Sequence, residues 1–107
     1  MIIQINTDNH VQGSAELTRE VESLVESALG RFGDRITRVE VHLTDENSSQ
    51  KTHGDAMRCR LEARPASRQP VTVTADAATI EQAVASAAKK MERLLDGTFG
   101  RLDDPRG

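Results

Sequence analysis

The sequence predicts an α+β domain of order β-α-β-β-β-α: a four-stranded, mostly antiparallel sheet with two helices packed on one face. Three observations lead there. Two long segments space their apolar residues three and four apart, the period of a helix with one buried side. Four shorter segments alternate apolar and polar residues, the period of a strand with one buried and one wet face. A chain of 107 residues has room for one core, and a sheet with one greasy face needs both helices to cover it.

Ile3 and Ile5 alternate with Gln4 and Asn6, so a strand opens the chain. Residues 7–13 are turn-rich, and the Ser14 hydroxyl can accept from the first orphan amides of a helix. Leu17, Val21, Leu24, Val25, Ala28 and Leu29 fall on one stripe, while Glu16, Glu20, Glu22 and Glu26 fall largely off it. This helix is predicted over 14–31, ended by Gly30 and Gly33 through the left-handed conformation glycine adopts cheaply. Val39, Val41 and Leu43 mark a second strand; Met57, Cys59, Leu61 and Ala63 mark a third, after a polar hairpin loop over 45–54. Residues 64–70 turn the chain around Pro65 and Pro70, which cannot donate to a ladder, into a fourth strand of Val71, Val73 and Ala75. The last helix is predicted over 79–96. Ile80, Ala83, Val84, Ala87, Ala88, Met91, Leu94 and Leu95 keep its period, Thr79 and Gln82 form a capping-box pair, and Gly97 and Gly100 stop it. A single domain over 1–102 and a flexible tail over 103–107 complete the expectation.

Composition bounds the function. A chain of this length buries about 60–70% of its unfolded surface and folds without a disulfide or metal. Phe32 and Phe99 are the only aromatic residues, so the core is aliphatic. Cys59 is alone, which rules out an intramolecular disulfide and points to a reducing compartment. The first residues lack the basic flank and apolar run of a signal peptide, and no segment reaches the length of a membrane span. A cytoplasmic protein with no membrane partner is expected. The net charge of −3 conceals segregation: residues 14–34 carry −3 and residues 56–75 carry +3, with −1 in each of 1–13, 35–55 and 76–107.

Catalysis finds little support. His10, His42 and His53 fall on three different elements, and no spacing supplies convergent metal ligands or a phosphate-cradling glycine loop. Asp8 with His10, and His53 with Asp55, sit in ordinary turn sequence, and Cys59 alternates inward with Met57 and Leu61. No enzyme, cofactor, metal site or small-molecule substrate is expected.

The bases are more informative. Arg58, Arg60 and Arg64 share the wet face of the third strand, and Arg38 of the second is predicted to join them. A guanidinium suits phosphate because its planar fork donates two hydrogen bonds at once. Glu40 and Glu62 lie on the same face, so cross-strand ion pairing accounts for these arginines equally well. The sheet offers no aromatic residue for stacking bases, which excludes recognition of the RRM kind. Lys89, Lys90 and Arg93 cluster late in the second helix, where attraction to its C-terminal carbonyls is the competing explanation. Arg31 and Arg35 flank the turn after the first helix, with Asp34 or Glu40 as alternative partners.

The order of elements, together with three local motifs, resembles the ribosome hibernation-promoting factors and ribosome-associated translation inhibitors. The motifs are Arg31-Phe32-Gly33-Asp34-Arg35-Ile36 followed by Val39 and Val41, His53-Gly54-Asp55-Ala56 before the third strand, and Lys90-Met91-Glu92-Arg93-Leu94-Leu95. The resemblance covers roughly residues 1–102 and implies a protein that binds small-subunit ribosomal RNA in the mRNA and tRNA channel, silencing translation when growth slows. It places Lys90 and Arg93 among the RNA contacts. Longer relatives carry a second, dimer-forming domain, which this sequence is expected to lack, so a monomer is favoured. Two departures stand out: the first helix presents glutamates where the family is usually rich in lysine, and Asp96, Gly97 and Phe99 replace lysines after Arg93. An acidic module that keeps the fold and binds a protein partner instead is the alternative.

Overall fold

The computed structural model describes the backbone of residues 1–8, 11–46 and 57–103, and side chains as far as residue 100. The elements are β1 (Ile2–Thr7), α1 (Ala15–Leu29), a 3₁₀ segment (Gly30–Arg35), β2 (Ile36–Asp45), β3 (Met57–Pro65), β4 (Val71–Ala77) and α2 (Ile80–Asp103). The order is that expected from the sequence, and the sheet runs β1-β2-β3-β4. β1 lies parallel to β2, which demands a crossover connection, and α1 supplies it. The β2–β3 and β3–β4 pairs are antiparallel.

Alternation decides what each face does. Val39, Val41, Leu43, Cys59, Leu61 and Ala63 are fully or almost fully buried on one side of the central strands. Val21, Val25 and Leu29 of α1, with Val84, Met91 and Leu95 of α2, close over them. Ala83 and Ala87 are fully buried too, and their small side chains let α2 approach β3 and β4 closely. Burying one such leucine or valine contributes about 1.5–3 kcal/mol, so this stripe is the main stabilising term. No buried side-chain nitrogen or oxygen among the described residues lacks a hydrogen-bond partner.

The predicted caps hold at the N-termini. The Leu17 amide donates to Ser14 Oγ at 3.0 Å, and the Gln82 amide donates to Thr79 Oγ1 at 3.1 Å. The C-termini correct the sequence reading. Gly30 stays right-handed at φ −59° and passes into the 3₁₀ segment, while Gly33 alone takes a positive φ, +55°. Gly97 and Gly100 do not stop α2, which continues to Asp103 instead of ending at 96. Phe99 explains the difference. It is only 6% exposed, and its ring sits 5.5 Å from that of Phe32, centroid to centroid. Tertiary packing thereby overrides the local preference of glycine. His10, His53, the His53-Gly54-Asp55-Ala56 motif, most of the 45–54 loop and tail residues 104–107 lie outside the described residues.

Candidate nucleic-acid interface

The wet face of the sheet carries the four arginines expected there. Arg38 pairs across strands with Arg64, Glu40 with Glu62, His42 with Arg60 and Thr44 with Arg58. The register therefore places two bases opposite each other at one end and two acids opposite each other in the middle. Like charges directly opposite repel, and each group turns to a neighbour of opposite sign. Arg38 Nε donates to Glu40 Oε2 at 2.9 Å, and Arg64 Nε lies 3.9 Å from Glu62 Oε1. Arg58 donates to both Asp76 oxygens, at 2.8 and 3.3 Å, and lies 3.7 Å from Glu46. The hydrogen bond from Arg38 holds the Glu40 carboxyl below the usual carboxylate range, and that from Arg58 does the same for Asp76. Arg60 alone of the four has no ion-pair partner among the described residues. The face is a nearly neutral mosaic rather than a basic plate.

The bases of α2 stand differently. Because the helix runs to Asp103, Lys89, Lys90 and Arg93 sit two or more turns before its end. Dipole attraction fades within the last turn, so it does not account for them. All three are exposed, and none has an ion-pair partner among the described residues. Lys90 Nζ reaches across to donate to the Thr74 carbonyl at 2.8 Å, which puts a cation on the open edge of β4. Lys89 lines a shallow groove of about 320 Å³ between the helices, with Leu24, Ala28 and Glu92.

Arg31 diverges from its expected partners. Arg31 pairs with α2, at 3.3 Å from Glu92 and 2.9 Å from Asp96, rather than with Asp34 or Glu40. The hydrogen bond to Asp96 raises its pKa further. Arg35 Cζ lies 5.4 Å from the centroid of the Phe99 ring. The sequence reading missed Arg68, whose Cζ lies 5.8 Å from the same centroid. It could have been suspected as the remaining base of the +3 segment, but its position depends on a ring far away in the chain.

The acids gather on the other flank. Glu16, Glu20, Glu22 and Glu26 of α1 are exposed, and Glu22 and Glu26 line an open groove of about 490 Å³ with Arg19, Met1 and Ile3. His42 Nε2 stands 3.5 Å from Glu40, and no cluster of three potential metal ligands occurs among the described residues. Burial pushes the Cys59 thiol up to about 12, far from a nucleophile's range.

With the geometry in place, comparison with known proteins decides the family. A family model described as sigma 54 modulation protein / S30EA ribosomal protein matches residues 3–102. The chain belongs to this family. Two solved structures share its fold. The N-terminal domain of Protein Y from Thermus thermophilus superposes with a TM-score of 0.71 at 16% identity, over 92% of this chain and 99% of that one. A ribosomal subunit interface protein from Coxiella burnetii gives a TM-score of 0.68 at 16% identity, over 94% and 99%. No curated protein matches the sequence significantly. Members of the S30EA family are non-enzymatic factors. No helix among the described residues is long and apolar enough to cross a membrane.

Proposed function

We propose that this protein acts in the cytoplasm as a ribosome-associated inactivation factor, with residues 1–102 working as one domain. It binds small-subunit ribosomal RNA and excludes mRNA and tRNA by occupancy, with no bond made or broken. The S30EA family match over residues 3–102 carries this reading. Support for where RNA is met comes from α2, whose Lys89, Lys90 and Arg93 are exposed and without carboxylate partners among the described residues. Arg60 adds a similar base on the sheet. Arg38, Arg58, Arg64 and Arg31 contribute by exchanging a carboxylate for a phosphate. Such partly exposed pairs are worth about 0–1 kcal/mol, so the exchange costs little. Arg35 joins them beside the 3₁₀ segment.

The test is co-sedimentation with purified ribosomes at low and moderate salt, for the wild type and for Lys90→Glu/Arg93→Glu. The wild type is expected to pellet at low salt and the double variant to lose most of that association. A wild type that stays in the supernatant at low salt ends the ribosomal reading; a double variant that pellets like wild type removes these two residues from it.

One observation favours a second reading, an acidic interaction module: Glu16, Glu20, Glu22 and Glu26 of α1 are all exposed, and Glu22 and Glu26 share an open groove with one base, Arg19, that the RNA reading does not use. Affinity purification separates the two, giving ribosomal proteins and RNA for the first and one stoichiometric basic partner for the second.

A further inference from the structure

The pole formed by the β3–β4 hairpin, the 3₁₀ segment and the last turn of α2 is built from parts that neither the family match nor the sheet arginines require. Arg35 and Arg68 both stand over the ring of Phe99, at 5.4 and 5.8 Å from its centroid. The ring is 6% exposed and braced by Phe32, so the platform is fixed. The two arginines are tied together through the backbone: the Ala66 amide donates to the Arg35 carbonyl at 2.8 Å, and the Arg68 amide donates to the Pro65 carbonyl at 3.3 Å. Between those two bonds, Ser67 holds φ at +62°, a conformation that non-glycine residues seldom adopt and that clusters at functional turns. Arg68 is exposed and has no ion-pair partner among the described residues.

We infer that this pole is a second phosphate contact for RNA, with Arg68 the side chain that binds and Phe99 the ring that positions it. The inference rests on the RNA-binding reading above and adds to it a residue and a surface. A guanidinium resting on an aromatic face has already given up much of its freedom, so less is lost when it captures a phosphate. Planar N–H donors then meet phosphate oxygens two at a time. Lys90, on the edge of β4 beside Thr74, lies on the same flank. Thr74 lies six positions after Arg68 along the chain, in the strand that leaves this turn, so the two are at most about 20 Å apart and one RNA strand can touch both.

The test is a titration of ¹⁵N-labelled protein with an unstructured single-stranded RNA twelve-mer at 0.05 and 0.2 M KCl, read at the arginine Nε–Hε resonances. Poly-glutamate serves as the competing polyanion, and ribosome pelleting is run in parallel. The Arg68 resonance is expected to shift with RNA. A single-strand phosphate contact contributes a salt slope of about −0.7, so Arg68→Ala should weaken binding about eightfold at 0.05 M and about threefold at 0.2 M. Phe99→Leu, which keeps Arg68 but removes the ring, should weaken it in the same direction. An Arg68 resonance that does not move, an Arg68→Ala affinity within twofold of wild type at 0.05 M, or equal shifts with poly-glutamate would overturn the site. A protein that shifts at Arg68 with RNA yet never pellets with ribosomes supports this contact and overturns the ribosomal reading. One that pellets alike with and without Arg68, with no RNA shift, overturns this contact alone.

Discussion

Replacing Phe99 by alanine should unravel the end of α2 while leaving the rest of the fold in place. The ring is 6% exposed, and burial of that order contributes about 2 kcal/mol. Its tilted contact with Phe32 at 5.5 Å adds about 1 kcal/mol. The two guanidiniums over it add about 0.5 kcal/mol each, as exposed cation–π pairs do. Against this total of about 4 kcal/mol, Gly97 and Gly100 inside the helix cost about 1 kcal/mol each relative to alanine. The helix beyond Asp96 is therefore held by about 2 kcal/mol, enough to slow amide exchange there roughly thirtyfold. In Phe99→Ala the balance reverses and the turn frays. Global stability should fall by that same margin of about 2 kcal/mol and not by the whole 4, because a frayed turn no longer carries the glycine cost. Hydrogen exchange read at Thr98, Phe99 and Gly100 should lose its protection, with β2 and β3 unchanged, and urea denaturation should give the smaller loss. Retained protection at those amides, or a loss as large as 4 kcal/mol, would refute the reasoning.

Gly33→Ala should cost about 1–3 kcal/mol in urea denaturation, since φ +55° with ψ −128° is a region L-residues avoid and nothing lies within 4 Å of the added methyl; a loss under 0.5 kcal/mol would remove the backbone explanation. Glu40 and Asp76 titrate lower when folded than when unfolded, so their pairs stabilise above the unfolded carboxylate range and lose that effect as pH falls through the folded values. Urea midpoints measured from pH 7 down to 3 should decline more steeply in the wild type than in Asp76→Asn, and parallel curves would contradict this. With its thiol at about 12, Cys59 at pH 8 holds a thiolate fraction roughly a thousandfold below that of a free cysteine, so alkylation should need unfolding; complete labelling of the native protein within minutes would show the thiol to be accessible.

Local patterns made most of the fold legible. Strict alternation in β2 and β3 named the buried faces residue by residue, because one buried face forces a period of two. Ser14 and Thr79 could be read as caps since their bonds reach only three residues along the chain. The far end of α2 was illegible for the opposite reason: Gly97 and Gly100 argue locally for a stop, and the ring contact that overrules them joins Phe99 to Phe32, distant in the sequence. The site divides the same way. That Arg38, Arg58, Arg60 and Arg64 share a face follows from period alone, and the structure places them so. Which of them are engaged depends on register, which sets Glu40 against Glu62 and Arg58 beside Asp76. The partners of Arg31 lie on α2 and could not be chosen over Asp34 without the tertiary fold. Arg68 escaped notice because its neighbour Phe99 lies beyond residue 96, where the last helix was expected to end.

The proposed mechanism is exclusion by occupancy, and a competition assay on purified small ribosomal subunits tests it most directly. Labelled mRNA and tRNA binding would be followed by filter retention as the protein is added. Binding of both should fall in proportion to the protein bound, and moderate salt should restore it as phosphate contacts are screened. Subunits that carry stoichiometric protein and still bind mRNA and tRNA at full level would contradict the account.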